Sequence, residues 1–356
     1  MMREILLQHY KHYPKAMLQD FFKLLHQSEF GPSAPVTDRK KNFKRMMIEF
    51  EFLEEPMKED VIEFLSPQLC RLHLQVLNQS SLSIRTFHRF FELSANELRG
   101  NVSRYYEKIE VFKQLCADGL LPFSEKAVNK VKAKIELAPR EPFRHSETYL
   151  ATYATTYRVV DKQFCDVLSL FARIDELMSQ KKDVIIAIDG DCVAGKTTLA
   201  SLIKRVYERS NIIHMDHFFL RPEQRTEARL AEPGGNIDRE RFTEEVLDQL
   251  KLNQPFSYRP FNCTTGAFDE PISISPKKLT IVEGSYSQHP VLAEHYDLKV
   301  FLSIPEDVQL ARILKRDGDV MYEKFKSTWI PMEKWYAAAF NIQKKSDLQF
   351  DYLDNL

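Results

Sequence analysis

The sequence predicts an α/β domain, a parallel sheet flanked by helices, over residues 181–356, preceded by a mainly α-helical domain over residues 1–180. Three observations predict it. The chain has 356 residues, more than one typical domain and enough for two cores of roughly 150–200 residues each. Its first half is poor in glycine, with apolar residues at helical intervals. After the polar Ser179-Gln180-Lys181-Lys182 the period changes abruptly to the apolar run Val184-Ile185-Ile186-Ala187-Ile188, and short β-branched runs then alternate with helical patterns, the grammar of βαβ units.

In the first half the clearest element is the stretch 161–179. There Phe164, Val167, Leu168, Phe171, Ile174, Leu177 and Met178 recur every three or four residues and draw one apolar stripe on a single helix. Two further clusters stand out, Gln27-Ser28-Glu29-Phe30-Gly31-Pro32-Ser33 and Arg144-His145-Ser146-Glu147 followed by Tyr149, Tyr153, Tyr157 and Arg158. On a helix the tyrosines would form one stripe; nothing local in either cluster fixes a metal or a nucleophile. In the second half strands are expected at 184–189, 211–215, 279–283 and 298–303, and helices at 196–208, 239–250, 306–316 and about 320–340. There is no internal repeat and no low-complexity segment.

With 50 basic and 51 acidic residues the formal net charge is -1, so no global field favours nucleic acid or an anionic membrane, and neither is expected as a partner. Cys70, Cys116, Cys165, Cys192 and Cys263 lie far apart without zinc-ligand spacing and read as reduced thiols. No apolar run approaches the ~20 residues needed to span a bilayer, and the N-terminus lacks a signal-peptide core. A cytoplasmic location is expected, and homo-oligomerisation stays open.

Gly190-Asp191-Cys192-Val193-Ala194-Gly195-Lys196-Thr197 satisfies G-x-x-x-x-G-K-[ST], between a predicted strand and a predicted helix. The glycines let backbone N–H groups turn inward around phosphate oxygens, and the helix adds its positive end. Residues 190–198, Thr198 included, are the expected nucleotide cradle, with Lys196 reaching the β and γ phosphates and the Thr197 hydroxyl binding Mg²⁺. Cys192 reads as a small loop residue whose pKa the helix end would lower.

Beyond the loop, four landmarks occur in order: IAIDGDCVAGKTTLA, HMDHFF, GGNIDRERF and TIVEGSY. Over about residues 183–345 this order resembles the uridine kinase and phosphoribulokinase group of P-loop kinases, and most nearly bacterial uridine kinase-like proteins with a helical N-terminal extension. The resemblance implies ATP, Mg²⁺ and a small hydroxyl-bearing acceptor. It implies that Asp216 helps deprotonate the acceptor hydroxyl near Mg²⁺, that Asp238 holds ribose hydroxyls, and that Glu283 approaches the metal. It implies further that Arg312 and Arg316, four apart on one helix face, close over the phosphates. Asp238 reads equally well as an N-cap before a helix.

The acceptor segment departs from that family. Tyr258-Arg259-Pro260-Phe261-Asn262-Cys263 lacks the expected histidine and has Asn262 in place of aspartate. Tyr258 and Phe261 remain candidates for the acceptor pocket, with Phe261 stacking on a ring. Arg221, Arg225 and Arg229, at four-residue spacing, would suit an anionic acceptor, or else a solvated helix. The leading expectation is phosphorylation of a nucleoside or related small molecule. The alternatives are a kinase for pantothenate, a sugar phosphate or a nucleotide-sugar, and a nucleotide-dependent switch that reshapes the helical half.

Overall fold

The computed structural model describes residues 1–53, 60–153 and 156–353. They divide into two compact units, one within residues 1–172 and the other within 173–353.

The N-terminal unit is mostly helical, with helices Met2–His12, Leu18–Phe30, Arg39–Glu51, Ile84–Ala95, Val102–Ala117 and Glu125–Leu137. Their starts are fixed by short polar side chains that accept orphan backbone N–H groups: Asp38, Ser83, Asn101 and Ser124 each cap one helix. The core is aromatic and aliphatic, with Phe21, Phe22, Phe112, Tyr105 and Tyr149 buried together.

This unit also holds an antiparallel sheet that the periodicity does not announce: β1 (Ile62–Phe64), β2 (Leu69–His73) and β3 (Tyr157–Asp161), in the order β1-β2-β3. All five residues of β2 are buried, so no alternation marks it. Two sequence expectations fail here. Tyr157 lies on β3, not on a helix with Tyr149 and Tyr153. The single helix over 161–179 is two, Lys162–Asp166 and Leu168–Gln180, because Val167 leaves helical geometry at φ -119 and ψ 30.

The C-terminal unit is built on β4 (Val184–Gly190), β5 (Ser210–His214), β10 (Leu279–Glu283), β11 (Leu298–Ser303) and β12 (Leu348–Asp351). Between them lie two short antiparallel pairs, β6 (Phe256–Tyr258) with β9 (Ile272–Ile274) and β7 (Phe261–Asn262) with β8 (Ala267–Phe268). The five-stranded sheet has the order β12-β11-β4-β10-β5, and every pairing in it is parallel. The expected strands are present; β12 went unread because it is only four residues long, too short a run for its alternation to stand out.

Helix Lys196–Val206 follows β4 directly. The helix expected at 239–250 is Arg239–Phe242, a π turn at Thr243–Leu247 and Asp248–Leu252, with Phe242, Val246 and Leu247 buried. The two expected near the C-terminus run as Glu306–Lys324, interrupted at Gly318 (φ 75), then a π turn at Phe325–Trp329 and helix Ile330–Phe340. One core gathers Ala187, Ile213, Val282 and Phe301 from the sheet with Phe218, Phe242, Leu292 and Tyr336. Register places the C-terminal ends of β4, β5 and β10 side by side, since Glu283 pairs with both Ile188 and His214. In parallel α/β sheets that edge is where ligands bind.

Candidate active site

β4 ends at Gly190, which pairs with Leu302 and has a φ of 136. A Cβ there would lie 2.0 Å from the Leu302 carbonyl oxygen, so only glycine lets the chain turn away from the sheet. Val193 (φ 56) and Gly195 (φ 102) complete the turn before the helix begins at Lys196. The Lys196 ammonium is buried and donates to the carbonyl oxygens of Gly190 and Asp191, both at 2.8 Å. Asp191 is itself fixed by the Ile304 N–H at 3.1 Å. Thr197 and Thr198 are exposed on the first turn of the helix.

The Thr197 hydroxyl lies 3.1 and 3.2 Å from the two oxygens of Glu283, at the end of β10. His214 hydrogen-bonds the same carboxylate through Nδ1, and that contact raises the His214 pKa. Thr197 and Glu283 are hard oxygen donors, the kind that Mg²⁺ takes from a protein when phosphates supply the rest of its shell. Among the described residues no group of three or more His, Cys, Asp or Glu could hold a metal ion.

Asp216 lies in the 3₁₀ turn Met215–Phe218 that leaves β5. That turn is packed against Gly284, where a Cβ would come within 2.9 Å of the Met215 Cβ. Asp216 is an exposed residue, and its carboxyl makes no hydrogen bond among the described residues. Its pKa is raised, chiefly because surrounding protein displaces water, with Glu283 and Glu333 adding to the rise and Lys196 and His214 opposing it. The structure thus brings Lys196, Thr197, Glu283 and Asp216 to one edge of the sheet.

Other expected site residues stand elsewhere or are engaged differently. Arg312 donates to the Val193 carbonyl at 3.1 Å and so grips the loop. Arg316 is exposed and paired at 2.8 Å with its neighbour Asp317. Asp238 is buried, accepts the Arg241 N–H at 3.1 Å as an N-cap, and accepts Gln224 Nε2 at 2.8 Å. Tyr258 is 2% exposed and hydrogen-bonds His217 Nδ1 at 3.1 Å; Phe261 is 4% exposed, edge-on against Phe268.

The Arg221–Gly235 stretch is not one helix but a 3₁₀ turn, Pro222–Gln224, and a helix, Glu227–Leu230. Its arginines are largely spent on the protein itself, Arg225 on the Leu220 carbonyl and Arg229 on Glu240. Cys192 also departs from expectation: burial pushes its thiol up to about 12, against the helix-end effect, and Gln309 Nε2 lies 3.1 Å from its sulfur.

Two acids went unread. Asp189, 1% exposed, accepts the N–H groups of Gly190 (2.7 Å), Tyr286 (3.1 Å) and Gln288 (3.0 Å) and the Tyr336 hydroxyl (2.8 Å). Its signal was present, a carboxylate closing an apolar strand. Glu333, on helix Ile330–Phe340, accepts the Cys192 N–H at 3.0 Å and the Ser285 hydroxyl at 2.7 Å. Nothing in its local sequence marks it.

The family model described as Phosphoribulokinase / Uridine kinase family matches residues 185–321. A uridine kinase of Latilactobacillus sakei is 27% identical over 157 residues, 40% of this chain and 70% of that protein. One of Shewanella piezotolerans is 28% identical over 156 residues, 39% of this chain and 71% of that protein. Among solved structures, a possible uridine kinase from Bacillus stearothermophilus is 21% identical with a TM-score of 0.37, covering 51% of this chain and all of that one. Matched over residues 185–321, on a parallel sheet whose edge carries the phosphate loop, the C-terminal unit is similar to the P-loop kinase domains of the phosphoribulokinase / uridine kinase family.

Proposed function

We propose that the C-terminal unit transfers the γ-phosphoryl group of ATP to a hydroxyl of a nucleoside, uridine-like, or of a related small molecule. The observation that carries this reading is the unbonded Asp216 carboxylate at the strand edge, within electrostatic reach of Lys196. Phosphoryl transfer needs little covalent help from the protein; it needs an aligned hydroxyl, a base within reach, and cations on the phosphates.

Lys196 and the loop of residues 190–198 hold the phosphates, and Asp216 takes the proton of the attacking hydroxyl. Thr197 and Glu283 would hold Mg²⁺, which would supply positive charge against the phosphate oxygens. Arg312, already on the loop, steadies charge in the transition state, whereas Arg316 contributes only after leaving Asp317.

The engagement of both aromatic rings in the acceptor segment favours a second reading. With Tyr258 and Phe261 buried, neither offers an open ring face for a base, which suits a non-nucleoside acceptor of the same kinase. Incubation with ATP and a nucleoside panel, then with a cell metabolite extract, followed by mass spectrometry of products, decides between them. A nucleoside monophosphate supports the first, and a different phosphorylated metabolite the second. Tight ATP binding with no hydroxyl acceptor turned over would reject both. Asp216→Asn should lower turnover by roughly 10²–10⁴-fold while sparing ATP binding.

A further inference from the structure

A cavity of about 190 Å³ lies in the C-terminal unit where the start of β11 meets helix Pro290–Ala293, the end of helix Ile330–Phe340 and the short helix Ile342–Lys345. Lys299 pairs with Ala187 in the sheet, whereas Leu302 pairs with Gly190, so the cavity opens at the other end of β11 from the phosphate loop. Pro290, Ala293, Phe340 and Ile342 give it apolar walls. The Phe340 ring stands steeply against His289 (5.1 Å, 72°) and Tyr336 (5.9 Å, 75°), yet the residue is only half-buried and lines the space. Gln288 also lines it but is spent on the protein: Nε2 donates to the Val300 carbonyl at 2.8 Å, and Oε1 accepts the Ser346 hydroxyl at 2.8 Å.

The charges that line this cavity are both positive, Lys299 half-buried on the strand and Lys345 exposed at the end of its helix. Neither ammonium makes a hydrogen bond or an ion pair among the described residues. The acids that flank them in sequence are engaged elsewhere. Asp297 holds Lys181 at 2.6 Å and the Ile185 N–H at 2.8 Å, and Asp347 accepts the backbone N–H of Lys299 at 2.7 Å. Apolar walls with a few polar groups at fixed places are what a small-molecule site needs. An apolar cavity of roughly 150 Å³ accepts a benzene ring, so this one has room for a ring and one small charged group. Two unpartnered ammonium groups set the sign of that charge.

We propose that this cavity binds a small aromatic carboxylate, its ring between Phe340, Ile342, Pro290 and Ala293 and its carboxylate on Lys299 and Lys345. The site is separate from the kinase chemistry and does not depend on it.

The test uses the full chain and ¹⁹F NMR of 4-fluorobenzoate, whose line broadens on binding. The broadening should saturate, and added benzoate should reverse it. 4-Fluorobenzyl alcohol keeps the ring without the charge, and fluoroacetate keeps the charge without the ring; each should bind about tenfold more weakly or worse. The response should persist in Lys196→Ala, which disables the nucleotide loop. It should weaken about tenfold or more when Lys299→Met and Lys345→Met are combined, or the two Lys→Gln changes should the methionine pair not fold. Ala293→Leu fills the space at unchanged charge and should abolish it. No saturable broadening, an alcohol bound as tightly as the acid, or binding unchanged without the lysines or with Ala293→Leu would overturn the assignment.

Discussion

The Glu333 carboxylate accepts the backbone N–H of Cys192 at 3.0 Å, inside the glycine-bounded loop between β4 and the helix that begins at Lys196. A second hydrogen bond, 2.7 Å from the Ser285 hydroxyl, fixes it there. The two partners are 141 residues apart, so only the folded sheet brings them together.

A fixed negative charge on this loop opposes an incoming polyphosphate. Glu333→Gln keeps an oxygen that can accept from Cys192 and removes the charge. It should lower the KM for ATP several-fold, a change on the order of 1 kcal/mol. Steady-state kinetics with varied ATP decide it; an unchanged KM would place the carboxylate outside the nucleotide's path.

Asp216 must be ionised to accept a proton, and its pKa is raised from the ordinary 3.8. The acidic limb of kcat/KM should therefore fall at a pH above that of a free aspartate, with activity lost as pH drops through it. Because Glu333 adds to the rise, Glu333→Gln should move the limb to lower pH. A limb that stays in place would show that Asp216 is not the group titrating.

Asp189 is an acid whose buried site favours its neutral form, with the pKa raised from 3.8 to about 6. Between those values the unfolded chain has released the proton and the folded one still holds it, so this group's contribution to stability falls as pH rises from about 4 to about 6. Asp189→Ala strands the donors from Tyr286, Gln288 and Tyr336 and should cost about 3 kcal/mol or more. Urea denaturation across that pH range checks both the slope and its loss in the variant.

Of the five cysteines only Cys263 is exposed. With Cys192 buried and its thiol held near 12, a disulfide reagent at pH 8 should modify one thiol of the folded chain quickly. Cys263→Ser should abolish that fast phase. Fast labelling that survives would mean that the loop opens to solvent.

The phosphate loop, the strand before it and the helix after it were legible because each is local. Glycines, a lysine and a hydroxyl at fixed spacing between a β-branched run and a helical pattern suffice to describe Gly190–Thr197. Glu283 and Asp216 were legible for a related reason, as acids at or just beyond the ends of apolar strands. The edge strand β12 and the buried β2 were not, since one is only four residues long and the other has no exposed face to create a period. The stripe over 161–179 misled because a helix broken at Val167 preserves the same apolar spacing on both sides.

By itself, then, the sequence determined which backbone can cradle phosphates and which lysine and threonine stand at its mouth, because those depend on neighbours within a few residues. The tertiary structure alone decided that Glu333 reaches the loop, that Tyr258 and Phe261 are spent on packing, and that Gln27, Arg71, His145 and Tyr157 share one hydrogen-bonded chain. Contacts between residues far apart in the chain follow from how whole elements pack and pair, and no local spacing encodes that.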